Sequence, residues 1–385
     1  MCSHDPRAKN SRTLLLTAVA ALISGIPAGV TAQPAAAAPP AAQAVDAATL
    51  VDGLAKVLAD YFVFPDVARR YGAALKARLA AGAYAGISDP AALAARLTAD
   101  LQATAKDGHL GVYPPRVPSA GPVPGGAPVV VMADGTPVPG AAPPPGEPVR
   151  VMRKRPPAIP ASGWLADGVA YIRFDGFPGD PETLAQVDAF VTAHAGAKTL
   201  IIDARSHRGG GLDEMDHLFP HLFRQRADLV KMDTRAAVEA DGMGPLNDTA
   251  TLLRQTSSSE IVSRLHVALP AAKPLLGDAR VFLLTAKATA SAGEHLAHAL
   301  KRTRRATLIG ETSYGAGNFG GGIDLPGGFW AFVPGGRSYD PATGAGWEGT
   351  GVTPDVMVPA AEALNKALEL AGVRPGQRRP LPGVS

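Results

Sequence analysis

An α/β fold is what the sequence predicts, a layered core around a mostly parallel sheet with a small three-helix domain ahead of it. Two observations carry this. Residues 164–359 alternate short apolar runs with amphipathic stretches in a βαβα order, and residues 46–112 repeat their apolar positions only at helical spacing. A chain of 385 residues with 46% apolar and 18% charged residues can bury a full core and is neither a membrane bundle nor disordered throughout.

The N-terminus comes first. Arg7, Lys9 and Arg12 precede an apolar run from Leu14 to Ile26, and small residues ending in Val30, Thr31 and Ala32 come before Gln33. This is the layout of a secretory signal peptide, residues 1–32, cleaved after Ala32, with an apolar centre too short to span a bilayer stably. Its loss removes three cations and Asp5, so the formal charge falls from +3 to +1. A nearly neutral chain gives no reason to expect nucleic acid as a partner, and no membrane insertion is expected after cleavage. The one cysteine, Cys2, leaves with the signal, so no disulfide, thiol nucleophile or thiolate ligand remains. It lies before the apolar run, which argues against a lipid anchor. A secreted or periplasmic location is expected.

Residues 33–45 are a Pro/Ala linker. Leu50, Val51, Leu54, Val57, Leu58 and Tyr61 then recur three and four apart, predicting a helix over 46–62. Asp66 is expected to cap a second helix that runs to Leu79 and stops at Gly82, and Asp89 with Pro90 to start a third through Leu93, Leu97 and Leu101. Residues 113–163 are rich in Pro and Gly and read as a variable surface segment, with strands possible only at Val129 to Met132 and Val149 to Met152. In the core domain, 164–359, strands are expected at 169–174, 199–203, 279–284 and 306–309, and helices at 181–195, 211–223 and 292–300. The stretch before Val267 reads as less regular. Residues 360–385 form a C-terminal helix and tail.

The chemistry centres on TAKATASAGE, residues 285–294. Ser291 stands between a buried strand and a helix, where a hydroxyl is exposed and the first helical N–H groups lie free to hold an oxyanion. A serine that only caps the helix is the plain alternative. Gly209, Gly210 and Gly211 end another strand, where ligands sit in α/β folds and backbone N–H groups approach closely. They match neither a phosphate loop nor a dinucleotide turn. A serine nucleophile needs a base, and that base needs an acid. His295, four residues along the helix, points away from an oxygen at its front, and His298 reads as surface or core. His217 and His221 invite a metal reading, but HLFPH lacks the glutamate of HExxH and holds Pro220. No metal and no cofactor are expected. Lys287 reads as solvated, and no lysine occurs between Lys301 and Lys366.

An ordered set of segments now stands out: YFVFPDVARR and GAYAGISDPAALAARLTADLQ, DGHL at 107–110, LIIDARSHRGGG at 200–211, TASAGEHLAHALKRTRRATLIGETSYG at 289–315 and WEGTGVTPDVMVP at 347–359. Over residues 46–359 the chain resembles the tail-specific, or C-terminal processing, serine protease family, in the branch of the tricorn core and the interphotoreceptor retinoid-binding protein repeats. The resemblance implies a crotonase-like ββα core, Ser291 as nucleophile, His109 as general base, Glu348 as the carboxylate that orients it, and an oxyanion hole from Ala292 and a glycine of the turn, Gly210 above all, with Gly211 beside it. Two positions differ from the family pattern. Ala316 stands where the Ser-Lys branch has its lysine, and Gly108 where the tricorn protease has a serine beside the histidine. Asp107 is the nearest other carboxylate. The expected function is peptide hydrolysis through a Ser-His-Glu triad, with a peptide or protein as substrate. A carrier of apolar ligands and an esterase are the alternatives that the fold leaves open.

Overall fold

The computed structural model describes residues 46–115 and 156–384. The N-terminal segment and the two candidate strands at 129–132 and 149–152 lie outside these residues. Helices α1 (Ala47–Tyr61), α2 (Pro65–Ala80) and α3 (Pro90–Thr104) form as the periodicity demands. The Asp46 side chain accepts from the N–H groups of Ala48 and Thr49, and Asp89 caps α3 in the same way ahead of Pro90. Asp66 is not a cap. It sits inside the first turn of α2, where Pro65 takes the opening position and Phe64 provides no side-chain bond. An aspartate there still favours the helix through the dipole.

Among the described residues twelve strands form two sheets. The first contains β2 (Ala161–Ala166), β3 (Val169–Arg173), β4 (Thr199–Asp203), β8 (Arg280–Thr285), β9 (Ala306–Gly310) and β12 (Val356–Met357), in the order β12-β9-β8-β4-β3-β2. Every pair is parallel except β2 with β3. Its central strands are buried on both faces. Leu200 and Ile202 pack with α4 (Pro181–Ala193), α5 (Asp213–Leu222) and α7 (Ala292–Arg302), whereas Ile201, Phe282 and Ile309 meet Ala363, Leu364 and Ala367 of α8 (Ala363–Leu370). This two-sided burial is why these segments read as continuous apolar runs.

The second sheet is antiparallel: β1 (Gly111–Tyr113), β11 (Trp330–Tyr339), β5 (Ala227–Arg235), β7 (Ile261–Ala268) and β6 (Leu252–Arg254), with β10 (Asn318–Asp324) also on β11. It corrects the expectation of irregular chain before Val267. Helix α6 (Ala236–Ala240) interrupts this region. Val230 and Met232 join the core beneath the parallel sheet, while Val112, Ala331 and Val333 pack against α1, α2 and α3. The three helices therefore share their core with the antiparallel sheet, and the loop from α3 into β1 is carried to the site.

Candidate active site

Thr285 ends β8, and the chain turns through Ala290 into Ser291 at the start of α7. Ser291 has φ 55° and ψ −118°, a left-handed conformation that a residue with a Cβ adopts only when its surroundings impose it. Those surroundings are specific. The Ser291 N–H donates to Glu294 Oε2 at 3.0 Å, and the same fully buried carboxylate accepts from Ser313 Oγ, the Gly315 N–H and the Ala316 N–H at 2.6, 2.6 and 2.7 Å. Burial pushes the Glu294 carboxyl above its ordinary range, and its four donors oppose that rise. Ala316 thus contributes its backbone where a lysine side chain was considered. Lys287 is exposed.

The glycine turn meets this serine. A Cβ on Gly209 would lie 2.9 Å from Ser291 Cβ and 3.2 Å from Oγ, so only glycine permits the approach. Beneath it His207, fully buried, accepts the Gly209 N–H at Nδ1 (3.1 Å), and burial lowers its pKa to about 3. A Cβ on Gly293 would strike that ring at 2.8 Å, which fixes the fit of α7 against the turn. The Gly211 N–H donates to the Phe177 carbonyl at 2.8 Å and is spent there. The expectation that it faces an oxyanion is corrected on that ground. Among the described residues the N–H groups of Gly210 and Ala292 have no partner of this kind.

His109 stands in the loop between α3 and β1, its ring stacked on Phe332 at 5.5 Å. Two carboxylates approach it, and one donor atom from each of Asp107, His109 and Glu348 lies within 4.8 Å of the others. Asp107 Oδ1 accepts the N–H groups of His109 and Leu110 at 2.9 and 3.0 Å, and its Oδ2 accepts from Asn318 Nδ2 at 2.8 Å. Glu348 accepts the N–H groups of Gly108, Gly317 and Asn318 at 2.6, 2.7 and 2.8 Å. The group is compact enough for a cation, yet its carboxylate oxygens are engaged by these donors. Burial lowers the His109 pKa, opposed by Asp107 and the Asn318 backbone. Burial, then the neighbouring Asp107 charge, raises that of Glu348.

His109 and Ser291 line one cavity of about 480 Å³, together with Gly210. His109 Nδ1 is buried without a hydrogen bond, and among the described residues no hydrogen bond joins its ring to Ser291. The remaining histidines are elsewhere. His295 Nε2 lies 2.9 Å from His266 Nδ1, His298 stacks on Trp347, and His217 pairs with Asp188. His217 and His221 both stand on α5, which runs through Pro220 without breaking. Sequence reasoning missed the service of Glu294, His207 and Asn318. The first had a signal, because Ser291 to Glu294 spells the S-x-x-E pattern of a capping box.

Residues 168–358 match peptidase family S41, and residues 44–137 match the N-terminal domain of peptidase S41 in eukaryotic IRBP. Among solved structures, a proposed peptidase from Parabacteroides merdae is similar in fold, at 15% identity and a TM-score of 0.53 over 85% of this chain and 96% of that one. The photosystem II D1 C-terminal processing protease is similar over 82% of this chain and 94% of its own, at 17% identity and a TM-score of 0.48. Mature CPAF matches at 16% identity and a TM-score of 0.39 over 55% of this chain, which spans about half of CPAF (52%). With the family's peptidase domain and its N-terminal domain both matched, in order, along one chain, this protein belongs to peptidase family S41 and is a serine-type peptidase.

Proposed function

We propose that the protein is an exported peptidase that hydrolyses peptide bonds with Ser291, His109 and Glu348. The observation that carries this reading is the strained Ser291, pressed against Gly209 and open to the cavity that His109 also lines. Ser291 Oγ attacks the scissile carbonyl carbon as His109 takes its proton. The oxyanion meets the N–H groups of Gly210 and Ala292, aimed where charge develops. Collapse returns the proton from His109 to the leaving amine. Water, deprotonated by His109, then releases the acyl group and restores the serine. The imidazolium formed in each half is offset by Glu348 and Asp107, a pair of carboxylates in place of one. Export rests on the basic flank, apolar run and small residues that end at Ala32.

The test is labelling of the secreted protein by a fluorophosphonate, with the N-terminus read by mass. Labelled wild type beginning at Gln33, and no label in Ser291→Ala, is the expected result. Equal labelling of both proteins overturns the nucleophile. A mature chain that retains residues 1–32 overturns export.

A further inference from the structure

The cavity that holds His109 and Ser291 has apolar walls and an electrostatic sign. Met232, Leu246, Phe319 and Phe332 supply apolar surface, and Asp213 and Asp216 of α5 supply two carboxylates. Among the described residues no lysine or arginine lines it. The two acids differ. Asp213 is exposed, whereas Asp216, with its side chain 26% exposed, is fixed from behind. Its Oδ1 lies 3.0 Å from His266 Nε2, and its Oδ2 accepts from Thr251 Oγ1 at 2.7 Å.

Two buried histidines stand behind Asp216. The His266 ring bridges Asp216 and His295, its Nε2 on the carboxylate and its Nδ1 2.9 Å from His295 Nε2. Burial holds His295 well below its ordinary pKa, so it is neutral. The carboxylate is held in place from behind by His266 and Thr251, and among the described residues no lysine or arginine faces it across the cavity. A long apolar stem ending in a cation fits such a pocket, the stem against the apolar walls and the head on a pre-positioned carboxylate.

We propose that this pocket takes the substrate side chain beside the scissile bond and that Asp216 selects arginine or lysine there. The inference rests on the peptidase reading above and names its substrate class. Asp216 is a specificity residue, with Asp213 adding to the field at the rim.

The experiment has two arms. In the first, a defined peptide mixture is digested and cleavage sites are read by mass spectrometry. Arginine and lysine are enriched about fivefold or more at one position flanking the cut, and the enrichment falls below about twofold in Asp216→Asn, with a smaller loss in Asp213→Asn. In the second, which needs neither a variant nor turnover, benzamidine slows fluorophosphonate labelling of wild-type Ser291 and neutral benzamide does not. Cleavage without cationic enrichment, enrichment that survives both substitutions, or equal protection by the two small molecules overturns this inference and leaves the peptidase reading intact. Absence of both cleavage and labelling overturns the two together.

Discussion

Ser291 is fixed from within its own element, whereas His109 is fixed by groups that arrive from elsewhere in the chain. The serine's conformation is imposed by a carboxylate three residues away on the same helix, Glu294, and by a glycine turn from the adjoining strand β4. The histidine sits at the junction of the helical region and the antiparallel sheet, flanked by Asp107 of its own loop and by Glu348, with Asn318 bonded to both carboxylates. One half of the site is therefore built by local geometry on a doubly covered parallel sheet. The other half is assembled by long-range electrostatics, and it is the half more open to adjustment.

The largest effect is expected on the locally built half. Glu294→Gln keeps the size of the side chain but puts an NH2 group among four donors, leaving buried N–H groups without acceptors at roughly 1–3 kcal/mol each. Peptide turnover falls on the order of a thousandfold and the unfolding midpoint drops by several degrees, as read by a peptide assay and a thermal melt. Wild-type turnover in that variant breaks the claim that this carboxylate sets the nucleophile.

A smaller effect separates the two carboxylates of the assembled half. Glu348→Gln and Asp107→Asn each lower kcat/KM by about ten- to a hundredfold, because each removes part of the field that stabilises the imidazolium. If Asp107 only shapes the turn, its variant matches wild type and Glu348 alone carries the role.

The smallest effect is a displacement of the pH profile. On the proposed mechanism His109 acts as a base when neutral, and burial lowers its pKa from 6.5, so the acid limb of kcat/KM is expected below pH 6.5, with the rate falling as pH drops through it. Removing the Asp107 charge removes an influence that raises that pKa, so the limb moves to still lower pH in Asp107→Asn. A limb that moves upward instead assigns the titration to another group.

The locally built half was also the more legible one. β4 and β8 announce themselves as unbroken apolar runs, and the serine and glycine turns follow directly from their ends. The antiparallel sheet stayed hidden for a physical reason. Its buried positions hold polar side chains satisfied by one another, Ser263 on Asp233, Arg264 on Glu239 and Asp248, and His266 on Asp216, so the apolar alternation of a strand is interrupted. β10, with three successive glycines, carries little strand propensity at all. His109 and Glu348 emerged only through the ordered set of motifs, since neither lies in a segment whose spacing marks it. Asp216 reads in the sequence only as one of the acids beside His217 and His221, because its meaning depends on a fold-made neighbour, His266, fifty residues on.

The bond between the Gly108 N–H and Glu348 joins positions 240 residues apart, and the same carboxylate also clasps Gly317 and Asn318. Closing so long a loop belongs to the slow, late part of folding. The loop that carries His109 is framed only when the segment around residues 317–348 has docked against it. On the proposed mechanism the folded state is thus a condition for turnover, because a chain in which residues 317–348 have not docked holds Ser291 without the framed histidine.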